Sequence, residues 1–211
     1  LRLYTYLRAV EEKKIEILTR ASGVILRHGV RSVTMDDITS ELGISKKTLY
    51  QYFSDKDSLI NAIIDLKLEN DRAICLSSIE NAENAIDALF LISKAVCENV
   101  GSVNPTVFYD LRKHYPGAWQ KVCDHKMTFV YDMILNNIQR GIKEGIYREN
   151  MNPEVVARLF VAYGDVIMSG EIFPWPEFHY DQVYFETTSF HICGMSNKKG
   201  IEYLNKRELN E

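Results

Sequence analysis

Two short apolar repeats at helical spacing, separated by one glycine, constrain the fold of this chain more than any other feature. Met35, Ile38 and Leu42 form the first, Leu49 and Phe53 the second, and Gly43 lies between them. Apolar residues three and four apart share one face of an α-helix. Thr34 stands before the first run as an N-cap, with Asp37 in the third helical position of a near capping box. Gly43 falls where a left-handed residue ends a helix, and Ser45 caps the next one. Two helices joined by a tight glycine-containing turn make a helix-turn-helix.

The second of these helices turns a polar face outward. With Leu49 and Phe53 inside, Lys46, Lys47, Thr48, Gln51 and Tyr52 are left to the surface. The N-terminal end of such a helix meets base edges in the major groove of duplex DNA. Lysine donates to guanine O6 and N7, threonine reaches a base or a phosphate, and tyrosine hydroxyls reach phosphates. Helix N-termini add backbone donors for phosphate. Lys56, in the first turn of the following helix, sits against the helix dipole, and a nearby phosphate would explain it.

The rest of the chain also reads as helix, with no strand pattern. Val10 to His28 places Ile15, Leu18, Ser22 and Ile25 on one face and stops at Gly29. Ser54 is the expected cap of a fourth helix reaching about Ile79. Ala85 to Val100 is an apolar helix. Asn104-Pro105 starts another, which Pro116-Gly117 ends. Ala118 to Lys143 reads as one long helix, Pro153 to Ile172 as the next, with Asn152 as its cap. The two prolines of FPWPEF break the pattern. Tyr180 to Cys193 and Lys198 to Arg207 are the last two helices, parted at Gly194.

Charge and cysteine usage narrow the function classes. The 211 residues carry a net charge of -4. Residues 1–60 hold ten Lys/Arg against eight Asp/Glu, and residues 61–211 fifteen against twenty-one. A slightly basic head on an acidic body suits a nucleic-acid reader joined to another function. The four cysteines form no CxxC pair and the five histidines no HxxxH or HExxH spacing. Reduced thiols, no metal site and no cofactor are therefore expected. No apolar run approaches about 18 residues, so no membrane span is expected. A signal peptide is not visible in a chain that begins at Leu1, and a cytoplasmic location is the expectation.

The segment VTMDDITSELGISKKTLYQYFSDKDSLINAII resembles the DNA-binding region of TetR-family transcriptional regulators. The likeness covers about Lys13 to Leu66, and IQRGIKEGIYRENMNPEVVARLF resembles a joint between two later helices of that family. The resemblance implies an all-α chain: an N-terminal three-helix helix-turn-helix domain, 1–56, and a helical effector-binding and dimerisation domain, 57–211. Carried over by position, the DNA contacts fall on Thr34, Ser45, Lys46, Lys47, Thr48, Tyr50, Gln51, Tyr52 and Lys56. Lys47 stands where the family often has glycine, and Tyr52 where it often has histidine. Both departures bear on the operator sequence.

The resemblance also implies partners: double-stranded operator DNA, a second copy of the chain, and a small-molecule effector. Ala162, Gly164, Ser169, Gly170 and Ser189 would let helices of two protomers approach. Aromatics are dense from Phe108 to Tyr163. Phe108, Tyr109, Arg112, Trp119, Phe129 and Tyr163 are the candidate lining of an apolar or aromatic effector pocket. The overall expectation is a dimeric repressor that its effector releases from DNA. A regulator driven by a protein partner is the alternative. A helical enzyme is disfavoured, since no GxSxG, P-loop or metal spacing is present.

Overall fold

The computed structural model describes residues 2–100, 103–104, 106–174 and 176–208. Among these residues the chain is all-α, with eleven α-helices, one π-helical turn and a single isolated β-bridge between Tyr147 and Ser196. The helices are α1 (Arg2–His28), α2 (Met35–Leu42), α3 (Lys46–Tyr52), α4 (Lys56–Glu80), α5 (Ala85–Val100), α6 (Thr106–His114), α7 (Pro116–His125), α8 (Tyr131–Lys143), α9 (Pro153–Ser169), α10 (Tyr180–Met195) and α11 (Lys198–Glu208). The π-helical turn, Lys126–Val130, lies between α7 and α8. Pro105, which the sequence reading used as helix punctuation, and Trp175 of the FPWPEF segment lie outside the described residues.

The chain forms two compact units. The first takes residues 1–69 and 102–122, the second 70–101 and 123–211. The first therefore holds more chain than the expected head, 1–56. Ile17, Ala21 and Ile25 of α1 share one core with Ile38 and Leu42 of α2 and with Leu49 and Phe53 around α3. Leu59, Ile60 and Ile63 of α4, Val107 and Leu111 of α6 and Ala118 of α7 enter the same core. Ile15, expected on the inward face of α1, is exposed, and Ile17 and Ala21 are buried instead.

Several boundaries differ from the sequence reading, each for a local reason. Asp55, not Ser54, caps α4: its carboxylate accepts from the Ser58 amide at 2.7 Å, and the Ser58 hydroxyl accepts from the Asp55 amide at 3.2 Å. Pro116 opens α7 rather than closing α6, because proline fits the first helical turn, where its missing donor has no partner to lose. α9 stops at Ser169, since Gly170 adopts a left-handed φ of 66°. α10 runs through Gly194 to Met195. The break falls instead at Asn197, whose side chain accepts from the Gly200 amide at 3.1 Å and donates to the carbonyls of Gly145 and Tyr147.

The second unit is organised around α5, α8 and α10. Ile86, Leu89 and Ile92 of α5 pack with Ile134 and Ile138 of α8 and Ile192 of α10. Polar contacts fix the start of α5 on α8. Asn137 donates to the Ala85 carbonyl at 2.8 Å, Glu144 accepts from the Ala85 amide at 2.8 Å, and Arg140 bonds both Glu144 and the Ala82 carbonyl. The buried Tyr147 hydroxyl donates to Asn137 at 3.3 Å, and burial pushes its pKa well up. Tyr147 lies flat against Gly141, where an added methyl group would overlap its ring. Gly141→Ala is expected to destabilise the protein by about 1–3 kcal/mol despite alanine's better helix propensity. Urea denaturation of the two proteins measures it.

Candidate nucleic-acid interface

α2 and α3 are built by their caps. The Thr34 hydroxyl accepts from the Asp37 amide at 3.1 Å, and the Asp37 carboxylate accepts from the Thr34 amide at 2.8 Å, which completes the capping box. The Thr34 hydroxyl also donates to that carboxylate at 2.7 Å. The Thr34 side chain and then its backbone hold the Asp37 carboxyl below its ordinary pKa. Gly43 takes a left-handed φ of 66°, and the amides of Gly43 and Ile44 close on the carbonyls of Ser40 and Thr39, a Schellman turn. Ser45 then caps α3 by accepting from the Thr48 amide at 3.0 Å, and its hydroxyl lies 2.8 Å from that of Thr48.

These bonds divide the nine expected DNA-contact residues into groups. Thr34 and Ser45 are exposed, but their hydroxyls are engaged in caps. Lys46 is exposed and pairs with Asp36 of α2 at 2.8 Å, which raises its pKa. Lys47 and Gln51 are exposed, with no hydrogen bond or ion pair among the described residues. Tyr50 stands beside them, 49% exposed. Thr48 is half-buried, and Tyr52 packs partly onto the core of the first unit. The structure thus brings Lys46, Lys47, Tyr50 and Gln51 onto one outward surface of α3.

Lys56, expected to meet a phosphate, also has contacts within the chain. It is half-buried, donates to the Arg31 carbonyl at 3.3 Å and stands 5.9 Å over the Tyr115 ring. Its position at the head of α4 thus has partners within the chain.

The six expected effector-pocket residues are divided between the two units. Phe108, Tyr109, Arg112 and Trp119 belong to the first unit, Phe129 and Tyr163 to the second. Tyr109 is 60% exposed and accepts from Lys113, Trp119 packs on the first core, and Tyr163 stands edge-on to His191. Phe129 lines a cleft of the second unit, with a volume of about 420 Å³, between α4, the π-helical turn and α8. Leu76, Ile79 and Met133 supply its other apolar walls, and Arg72, Asp132 and Arg140 its charges. The Arg72 guanidinium covers the Phe129 ring at 4.5 Å. Sequence periodicity read 118–143 as one regular helix, so it gave no sign of the π-helical turn that carries Thr128 and Phe129. Among the described residues no group of three His, Cys, Asp or Glu side chains is placed to hold a metal ion.

Two capped helices meeting at a glycine turn, with a cationic and amide-bearing outer face, define a helix-turn-helix DNA-binding protein. Residues 17–63 match the family model of bacterial regulatory proteins, tetR family. Over that segment the chain has the DNA-binding region of a TetR-family transcriptional regulator. It is 24% identical over 131 residues to the HTH-type transcriptional regulator YvaF of Bacillus subtilis (strain 168), across 62% of this chain and 68% of that protein. A transcriptional regulator from Cytophaga hutchinsonii ATCC 33406 shares the fold with a TM-score of 0.71 at 18% identity, over 88% of this chain and 99% of that one. So does the regulator FadR from Bacillus subtilis, solved in complex with stearoyl-CoA, with a TM-score of 0.67 at 15% identity over 86% and 98%.

The caps generate a prediction that DNA does not enter. Thr34→Ala is expected to cost about 1 kcal/mol of folding stability at neutral pH. Asp37 has a depressed pKa, so its contribution is present above the ordinary carboxylate pKa of about 3.9 and is lost as pH falls through the depressed value. The stability gap between the two proteins should therefore narrow in acid. Denaturant titrations at neutral and acidic pH, with an NMR titration of Asp37, check both parts.

Proposed function

We propose that this protein is a dimeric repressor that reads a palindromic operator with α3 and is released from it by a small apolar or aromatic effector. The observation that carries the reading is the pair Lys47 and Gln51, exposed on the outer face of α3 with no polar partner among the described residues. A lysine donates to guanine and a glutamine pairs with adenine at major-groove edges. Lys46 joins them once its surface pair with Asp36 opens, which costs little because exposed ion pairs are weak. Thr48, Tyr50 and Tyr52 approach the backbone phosphates. Thr34 and Ser45 act through the caps and through the amides they leave at each helix start. Selection from randomised duplexes should return a palindrome, since the operator mirrors the two-fold of the protein. Lys47→Ala and Gln51→Ala should each cost about 1–3 kcal/mol on that site and relax one position per half-site. Retention of full specificity by both variants would refute base reading by α3.

Dimerisation is assigned to α9 and α10. Leu159 and Tyr163 on α9 are 49% and 38% exposed, and Phe190 on α10 is 71% exposed. The backbone at Gly164 and Gly194 is open to close approach. Exposed apolar side chains that group into a large patch mark an interface, and these three are the candidates. Phe190→Glu is expected to give a monomer with weak operator binding and unchanged helix content. Sedimentation equilibrium distinguishes that outcome from an unmodified monomer, which would sink the dimer reading.

The effector is assigned to the cleft between α4, the π-helical turn and α8. Its volume of about 420 Å³ falls in the range of small-molecule sites. π-helical turns concentrate at functional positions. That FadR, a protein of the same fold, is solved with stearoyl-CoA supports a ligand with a large apolar part. The effector must prefer the conformation that does not fit DNA, because a ligand of equal affinity for both states shifts nothing.

A further inference from the structure

We infer that Lys56 and Asp110 are positioning residues that clamp the backbone of Arg31 from two sides and so tie the helix-turn-helix to α6. The inference goes beyond operator reading by α3 and rests on it only for its DNA measurements. Arg31 lies in the loop between α1 and α2, three residues before the Thr34 cap. Its amide donates to the Asp110 carboxylate on α6 at 3.0 Å, and its carbonyl accepts from the Lys56 ammonium on α4 at 3.3 Å. Asp110 is 7% exposed, an uncommon setting for a carboxylate, and a charged acceptor makes its bond to the amide stronger than a neutral one would.

The surroundings are built to the same end. Lys56 stands over the Tyr115 ring, which gives its ammonium a second inward-facing partner. Burial pulls its pKa down, while the carboxylates of Asp110 and Asp37 oppose that shift. Gly29 takes a φ of 91°, and a Cβ there would crowd the Thr106 hydroxyl of α6 at 2.9 Å. Asn104, just before α6, accepts from the Thr106 amide and donates to the Arg27 carbonyl at 3.2 Å, while its own amide donates to Leu26 at 2.7 Å. The last carbonyls of α1 and both polar groups of Arg31 are thus held from α6, the residues before it, and α4. A shift of α6 along its axis pulls the Arg31 peptides, and through them the start of α2.

A phosphate-gripping lysine and a clamping lysine behave differently. In the full-length protein, Lys56→Met should weaken operator binding roughly tenfold, the loss expected of one charged hydrogen bond, with the slope of log affinity against log salt unchanged. Asp110→Asn should weaken binding in the same direction, and the double variant should bind little worse than either single one. Without DNA, Asp110→Asn should shift the Arg31 amide resonance, and Lys56→Met that of Ser32, whose amide shares a peptide group with the Arg31 carbonyl. If Lys56→Met lowers helix content, Lys56→Gln replaces it. Glutamine still donates to the carbonyl, so this variant should keep more affinity at the same salt slope. A slope reduced by about 0.9 with additive effects makes Lys56 a phosphate ligand and overturns the clamp. Unmoved Arg31 and Ser32 amides overturn it independently of whether any operator is found.

Discussion

Helices of eight and seven residues do not hold their own shape in water, and the reading head depends on that constraint. Helix nucleation is costly, and an isolated helix below about 12–15 residues is marginal. α2 and α3 persist because each gives its whole apolar face to a core it does not own. Ile38 and Leu49 are fully buried against residues of α1 and α4. Once those faces are committed, the opposite side of α3 has no packing role. Its lysines, glutamine and Tyr50 face solvent as a consequence of the same packing. The surface assigned to DNA and the core that supports it are two sides of one short helix.

The core that supports the head is wider than the helix-turn-helix. Leu59, Ile60 and Ile63 come from α4, and Val107, Leu111 and Ala118 from α6 and α7, which lie more than fifty residues beyond the turn. The polar contacts follow the same route, from Asn104 to the end of α1 and from Asp110 to Arg31. A reader packed this way takes its orientation from later parts of the chain. In the second unit a comparable polar set, Asn137, Arg140 and Glu144, seats the start of α5 on α8 beside the cleft. Side chains on α8 thereby serve both the fold and the cleft wall, since Asn137 and Arg140 appear in each.

Much of this was legible in the sequence because it is local. Thr34, Gly43, Ser45 and Asn152 announce helix ends through bonds to neighbours within a few residues, and all four act where periodicity and capping chemistry put them. The buried faces of α2 and α3 follow from apolar spacing alone. The all-α class follows from the absence of period-two alternation, and the family from a motif confined to one stretch of chain. What is written within one helical turn can be read without knowing the fold.

Tertiary structure alone decided the rest, because it depends on residues far apart in sequence. Nothing in the sequence around Lys56 announces Arg31 and Tyr115, which come from 25 residues before it and from beyond α6 to stand beside its ammonium. Asp110 carried no sequence signal, since its partner is a backbone amide 79 residues away. The aromatics between Phe108 and Tyr163 form one run in the sequence, and the chain distributes them between two units. The π-helical turn at Lys126–Val130 interrupts a helix whose apolar pattern continues on both sides, so periodicity passes over it. The sequence by itself determined helices, caps and a reading head. Which charged groups find partners within the chain was decided only by packing.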